Sequence, residues 1–513
     1  MTLAHRTAWL APFDAPELSY AEAEAMAHDT GFFGNTGDPL LETVVEMLDE
    51  LERPDESFDV IQVAGTNGKT STSRYTAAVL AGEGLRCALY TSPELVEMRE
   101  RMEVAGAPVS REAFAHGIAL AAEAGRRVNA RREAAGERPF RVTEFDLLTV
   151  AACVVFAEAG VDVAVLEVGL GGRWDATTAT RPKVTCVTGI GLDHMRILGD
   201  TLEAIAGEKA AVIRRGQRCV LGAGTASPAS VEDVFLARCA EQGVEPVLLR
   251  PELASDAPGE LEGLACAPAG SGPVGAGRAA VGPAAAEPGA AAPGAEPSVP
   301  AFRAHPELPH ASYHVTRRPE RVGGGLALNV TTPLATYRDL CAARPVYQAA
   351  NIACAVTLAE TYLGWALDQY RLSDVIGECP TPGRFNVVQG SPLQLIDAAH
   401  NPQSVRAFLD SLAEMEPEVS ERPQLLCAVL RDKDVAGIVG LLAHAFPRVV
   451  VTATSSPRAL PAAELAEAFR TEGVEPVAAY EDVASACAAL AGESYVAVGS
   501  ITLAGEVAAW HRR

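Results

Sequence analysis

The stretch from Val63 to Arg74 reads VAGTNGKTSTSR and joins an apolar run to a helical pattern. Two glycines bracket a Thr-Asn pair, and a lysine and a cluster of hydroxyls follow. A glycine-rich turn between strand and helix leaves backbone N–H groups at the positive end of the helix, which suits phosphate. Lys69 adds a point charge for the β/γ oxygens, and Thr70 or Ser71 a hydroxyl for Mg²⁺ or phosphate. The full Walker spacing asks for a glycine where Val63 stands, so the loop is the shorter G-T-N-G-K-[ST]. The plainer reading is a turn whose glycines only satisfy backbone geometry; Gly-Lys-Thr directly after an apolar strand favours phosphate.

A second group lies in LEVGLGGRWDATT, where Glu167 stands near the end of an apolar strand. Open α/β sheets place ligands at such strand ends. A carboxylate is costly to bury there unless a cation accompanies it. A metal held beside nucleotide phosphates would account for Glu167; taken alone, a capping or salt-bridged glutamate is the simpler account. The glycines after it suit backbone approaching a ligand, or merely a tight turn. His194, in GLDHMRILGDTLEAIAGEKAAVI, also follows an apolar strand. A lone histidine is more often a satisfied polar residue than a ligand. Lys209, with Glu208 beside it in a helical pattern, reads by default as part of a solvated helix face.

Elements able to position these residues are visible around them. FDVIQVAG precedes the loop, VDVAVLEVGLGG and KVTCVTGIGLDH follow, and LTVAACVVFAEAG reads as a helix. After Pro380 the alternation resumes in PLQLIDAAH, PQLLCAVL, RVVVTAT and SYVAVGS, with helices such as AAELAEAFR between. Short apolar strands separated by helices predict parallel α/β sheets. Two prolines and a glycine in PTPGR mark a linker to a second, smaller unit. From Ala267 to Pro300 the chain carries only Ala, Pro, Gly, Val, Ser, two Glu and one Arg. That composition has little to bury and predicts a disordered insert within the first unit, reaching back to about position 252.

Composition bounds the function. A net charge of −24 argues against a general nucleic-acid grip. No apolar run approaches a membrane span, and the N-terminal stretch lacks the apolar core of a secretory signal. Eleven scattered cysteines, none in C-x-x-C, read as reduced thiols in a cytoplasm and argue against zinc.

In order along the chain, VAGTNGKTS, YTSPEL, EVGLGGRWDATT, GLDHMRILGDTLEAIAGEKA, YQAANIACAV, TPGRFNVV, DAAHNPQSV and RDKD resemble the folylpolyglutamate synthase/dihydrofolate synthase family of the Mur-ligase superfamily. The resemblance implies a P-loop-type ATPase domain with a parallel sheet over 1–379 and a smaller Rossmann-like α/β domain over 380–513. It implies an ATP-dependent ligase that phosphorylates the substrate carboxylate and lets the amine of L-glutamate displace phosphate. Lys69, with Gly65, Thr66, Asn67 and Gly68, would hold the phosphates, with Thr70 and Ser71 nearby. Ser92, Glu167 and His194 would bind Mg²⁺, and Lys209 matches the lysine carbamylated in this family. Arg384 would reach the phosphates from the second domain, Asp397 and His400 would contact ribose and adenine, and Asn351 with Gln348 would face the nucleotide. Domain closure would then exclude water from the acyl phosphate. The expectation is a cytoplasmic monomer with small-molecule partners only: ATP, L-glutamate and a folate or dihydropteroate, with no nucleic acid and no membrane.

The chain departs from the family pattern in places. GKGS is GKTS, SPHL is SPEL with Glu94, DATN is DATT, DGAHNP is DAAHNP, EKAG is EKAA, and the usual Phe-Glu is Phe145-Asp146. None removes a proposed metal or phosphate group. Two alternatives stand beside this reading. A cell-wall Mur ligase adding an amino acid to a UDP-muramyl peptide shares the loop, but the 64 residues before Gly65 are too few for its usual uridine-binding domain. A nucleotide-dependent regulatory protein would keep the fold without the chemistry. The residues leave open whether the acceptor is dihydropteroate, a folate or both.

Overall fold

The computed structural model describes residues 9–29, 41–252, 303 and 305–512; the Ala/Pro/Gly-rich segment 267–300 lies outside the described residues. The first sheet comprises β1 (Asp59–Ala64), β2 (Cys87–Tyr90), β3 (Met102–Val104), β4 (Ala107–Pro108), β5 (Val163–Glu167) and β6 (Val184–Gly189). It continues with β7 (Arg218–Gly224), β8 (Pro246–Pro251), β9 (His310–Arg317), β10 (Leu326–Thr331) and β11 (Thr336–Ala342). Their spatial order is β11-β10-β9-β8-β7-β6-β1-β5-β2-β3-β4. The stretch from β9 to β2 is parallel throughout.

Parallel pairing needs helices on both faces, and β1 and β5 are accordingly buried from end to end save Asp59. Side chains alternate across the pleat. Ile61 and Val63 pack with Tyr75 and Val79 of the helix Lys69–Gly82 and with Ile352 and Val356 of Gln348–Leu363. Val60, Ala164 and Leu166 face Phe114 of Arg111–Ala134 and Leu148 and Phe156 of Glu144–Glu158. The last helix opens with a reciprocal cap: the Asp146 N–H donates to Thr143 Oγ1 (3.2 Å) and the Thr143 N–H to Asp146 Oδ2 (3.0 Å). Phe145-Asp146 thus retains the acidic partner that a helix start requires.

The sheet is not parallel at its edges. The strands β9, β10 and β11 form an antiparallel meander, as do β2, β3 and β4. The strands β9 and β11 show mixed exposed and buried positions rather than apolar runs, so the apolar-run criterion passed over them.

The second sheet holds β12 (Asn386–Gly390), β13 (Leu393–Ile396), β14 (Gln424–Cys427), β15 (Val449–Thr452), β16 (Ala478–Tyr480) and β17 (Tyr495–Val498) in the order β12-β13-β17-β14-β15-β16. Only the β12–β13 pair is antiparallel. Its two faces bury Leu395, Val405, Phe408 and Val451 on one side and Ile396, Leu426, Ala497 and Leu503 on the other. The loops at the carboxyl ends of β1 and β6 in the first sheet meet loops that follow β13 and β14 in the second, with the end of β5 on the other side of β1. Those ends hold the residues singled out by their chemistry.

Candidate functional site

The phosphate-type loop is built by close approach of backbone. Gly65 has φ +145°, and a Cβ on it would lie 2.0 Å from Thr188 Oγ1. Gly68 has φ +84°, and a Cβ there would lie 2.4 Å from Asn351 Oδ1. Both positions therefore demand glycine. The Thr66 N–H donates to Gly189 O (2.8 Å), and Thr188 Oγ1 donates to Asn67 O (2.6 Å), so the end of β6 braces the turn. Asn351 and Gln348 brace it from the helix Gln348–Leu363. Gln348 Nε2 donates to Ser71 Oγ (3.2 Å) and Asn351 Nδ2 to Gln348 Oε1 (2.9 Å).

Lys69 opens the helix behind this loop. Its Nζ donates to Thr66 O (3.1 Å) and forms no ion pair among the described residues. Glu167, 2% exposed at the end of β5, accepts from Thr70 Oγ1 (2.9 Å) and from the Ser92 N–H (3.4 Å). Burial pulls the Lys69 ammonium below its ordinary value and pushes the Glu167 carboxyl above its own, while each opposes that shift in the other. Two opposite charges thus share a recess without closing on each other.

His194 caps the short helix Met195–Leu198 in a left-handed conformation, φ +51°. Burial, together with Lys433 and Lys69 and against Asp193, pulls it down to about 4, so its ring is neutral near pH 7. Ser92, Glu167 and His194 therefore offer a hydroxyl, a carboxylate and a neutral imidazole. Among the described residues no three acidic, thiol or imidazole groups converge into a ready-made cage. A metal here would draw the rest of its shell from phosphate oxygens and water, as Mg²⁺ ordinarily does, so the donor set fits Mg²⁺ brought with a nucleotide.

Lys209 is not on a solvated face. It is 5% exposed in the helix Leu202–Ala210 and forms no ion pair among the described residues. Burial, with Lys69 adding to it and Asp193 and Asp175 opposing, pulls the amine down to about 7. The glycines after Glu167 turn out to be committed to packing. A Cβ on Gly169 would lie 2.6 Å from the Phe145 ring, and one on Gly172 would lie 2.9 Å from Glu208 O, beside Lys209. Asp175 ties that turn, accepting from the N–H groups of Gly169 and Leu170 (2.9 Å each) and from Thr177 Oγ1 (2.5 Å).

From the second sheet, Arg384 is half-buried, and its charge acts on Lys69, Glu167 and Asp397. Asp397 is 3% exposed, with its oxygens taken by Tyr347 Oη (2.9 Å), the Phe385 N–H (2.7 Å) and the Ala399 N–H (2.8 Å). His400 lies 3.5 Å from Asp193 through Nε2, and its Nδ1 donates to Ala398 O (2.8 Å). Both residues are thus engaged with protein in this arrangement.

Sequence reasoning assigned no role to Asp193, Asn401, Gln403 or Lys433. Asn401 Nδ2 donates to Asn67 Oδ1 (3.2 Å) and Asp193 Oδ2 (3.3 Å), and Asn67 Nδ2 donates to Gln403 Oε1 (2.8 Å). Their signal lay in the motifs GLDH, HNP and RDKD, present but without a local chemistry to interpret.

A glutamate ligase domain of the Mur ligases matches residues 383–500. The dihydrofolate synthase/folylpolyglutamate synthase of Mycobacterium tuberculosis is similar at 30% identity over 84% of this chain and 77% of its own length. The folylpolyglutamate synthase of Lacticaseibacillus casei is 28% identical over 87% of this chain and 88% of its own. Among solved structures, the M. tuberculosis folylpolyglutamate synthase complexed with ADP superposes with a TM-score of 0.75 at 27% identity, covering 96% of this chain and 98% of that one.

The loop geometry yields a direct test. Gly68→Ala combines a positive φ with a clash against Asn351, so it should weaken ADP binding by about tenfold or more, ~1.4 kcal/mol. Isothermal titration calorimetry measures this, with far-ultraviolet circular dichroism showing the fold intact. Unchanged affinity would mean that the loop does not cradle phosphate.

Proposed function

The chain belongs to the folylpolyglutamate synthase/dihydrofolate synthase family, and on that premise we propose which of its residues carry the reaction. It is an ATP-dependent ligase that joins L-glutamate to a folate or to dihydropteroate. A carboxylate is a poor electrophile and its phosphoric anhydride a good one. An acceptor carboxylate oxygen attacks the γ-phosphorus and ADP leaves; the glutamate amine then attacks the acyl carbon, phosphate departs, and the nitrogen loses a proton.

Lys69 and the loop Gly65–Ser71 hold the phosphates, with Arg384 completing the cradle from the second domain. The observation that carries this assignment is the recess in which Lys69 and Glu167 face each other unpaired. A phosphate beside Lys69 and a cation beside Glu167 relieve both buried charges at once. Ser92, Glu167 and His194 would hold Mg²⁺, which when bound offsets negative charge on the transferring phosphoryl group. Asn351 and Gln348 shape the nucleotide side of the loop, and Asp397 and His400 border the ribose and adenine side. The division into domains 1–379 and 380–513 belongs to the same proposal, supported by a helix that ends at Glu378 and a family match that begins at residue 383.

Lys209 we assign as a carbamate. An amine held near 7 is partly neutral at physiological pH, and only the neutral amine attacks CO₂; the product is an anion and one proton is released. The resulting carbamate would replace a buried cation by an anion beside Lys69.

Two outcomes test the proposal. Steady ADP release should need dihydropteroate or a reduced folate, L-glutamate and Mg²⁺ together, with one glutamyl unit gained per ADP by mass spectrometry; omitting glutamate should leave no sustained turnover. Equal ADP release without any acceptor would contradict it. For Lys209, ¹³C-bicarbonate should give a carbamate resonance in the wild type that is lost in Lys209→Ala. The signal should fade as pH falls below about 7, where the amine takes up a proton. A wild-type spectrum identical to that of the variant would remove the carbamate.

A further inference from the structure

The Asp193 carboxylate, between the end of β6 and His194, is gripped almost entirely by the other sheet's loops. Lys433 Nζ lies 2.7 Å from Oδ1, with the Lys433 and Asp193 side chains 9% and 11% exposed. Asn401 Nδ2 donates to Oδ2 at 3.3 Å and His400 Nε2 lies 3.5 Å from it. From its own side the carboxylate accepts the His194 N–H on Oδ1 (2.8 Å).

The same loop that supplies Asn401 also fixes the phosphate loop. Gln403 accepts from Asn67, and its Oε1 lies where a Cβ on Gly191 would approach to 2.0 Å. Two loops at the carboxyl ends of β13 and β14 therefore meet two loops at the carboxyl ends of β1 and β6. At Asp193 these contacts carry opposite charge across a nearly dry gap.

We propose that Lys433 and Asp193 form a closure latch for the ligation. Lys433 is a positioning residue: it draws the second domain onto the first and, through the carboxylate shared with the His194 backbone, fixes His194 only when the domains are closed. With the latch engaged, water is kept from the acyl phosphate until the amine arrives. This rests on the reaction proposed above.

The test is the ratio of ADP to glutamylated product in Lys433→Met, which removes the charge and keeps the stem. The wild type should give a ratio of one. The variant should form product about 100-fold more slowly, as small misplacements near chemistry do, and its ratio should rise above one because water captures the acyl phosphate. Lys433→Arg, which can still span the gap, should restore the ratio towards one. A merely structural role would lower the rate with the ratio unmoved, and a role as phosphate ligand would raise the KM for ATP with the ratio unmoved; either result overturns the latch. If Lys433→Met does not fold, Lys433→Gln carries the same measurement. A wild type that makes no acceptor-dependent ADP sinks the ligase assignment itself, a different failure from a latch variant that stays coupled.

Discussion

Lys69 and Glu167 act on each other within one recess, burial disfavouring the charge on each, and among the described residues no ion pair joins them. That unfilled separation is the constraint on which the site depends. A closed pair would satisfy both charges and leave nothing for a ligand to do. Held apart, each charge is poised for a partner from solution: an anion for the lysine, a cation for the glutamate. The fold maintains the gap by fixing both ends. Lys69 begins a helix packed against Gln348–Leu363, and Glu167 ends a strand buried on both faces.

Around that gap the architecture recruits the next charges in order. Arg384 looks in from the second sheet, His194 stays neutral, and Lys209 lies dry behind the turn that follows Glu167. A recess with so many buried titratable groups is expensive in stability, and such expense concentrates where chemistry needs it. The full-length likeness to folylpolyglutamate synthases spans both sheets, and it decides between the folate and cell-wall ligases weighed on the sequence.

Much of this was legible in the residues. Gly65, Gly68 and Lys69 announce themselves because a strand-to-helix turn has few ways to use that pattern, and the apolar runs of β1, β5 and β6 mark a parallel sheet. Other features were not. Lys209 next to Glu208 looks like a solvated face; only the tertiary packing of the turn at Gly172 shows that it is buried. The glycines after Glu167 suited either an approaching ligand or a tight turn, and the packing of Phe145 and Glu208 against them could not be read from the sequence. The strands β9 and β11 mix exposed and buried positions and do not stand out as apolar runs. Asp193 and Lys433 lie 240 positions apart, and no local signal can connect them. Contacts between domains are where reading along the chain stops working.

The central claim is that this recess moves a phosphoryl group onto a carboxylate before the amine arrives. Oxygen labelling tests it most directly. With an acceptor whose carboxylate carries ¹⁸O, ³¹P nuclear magnetic resonance of the released phosphate should show one ¹⁸O per phosphate, because the acyl phosphate breaks at carbon. Phosphate free of label, with product still formed, would contradict the account.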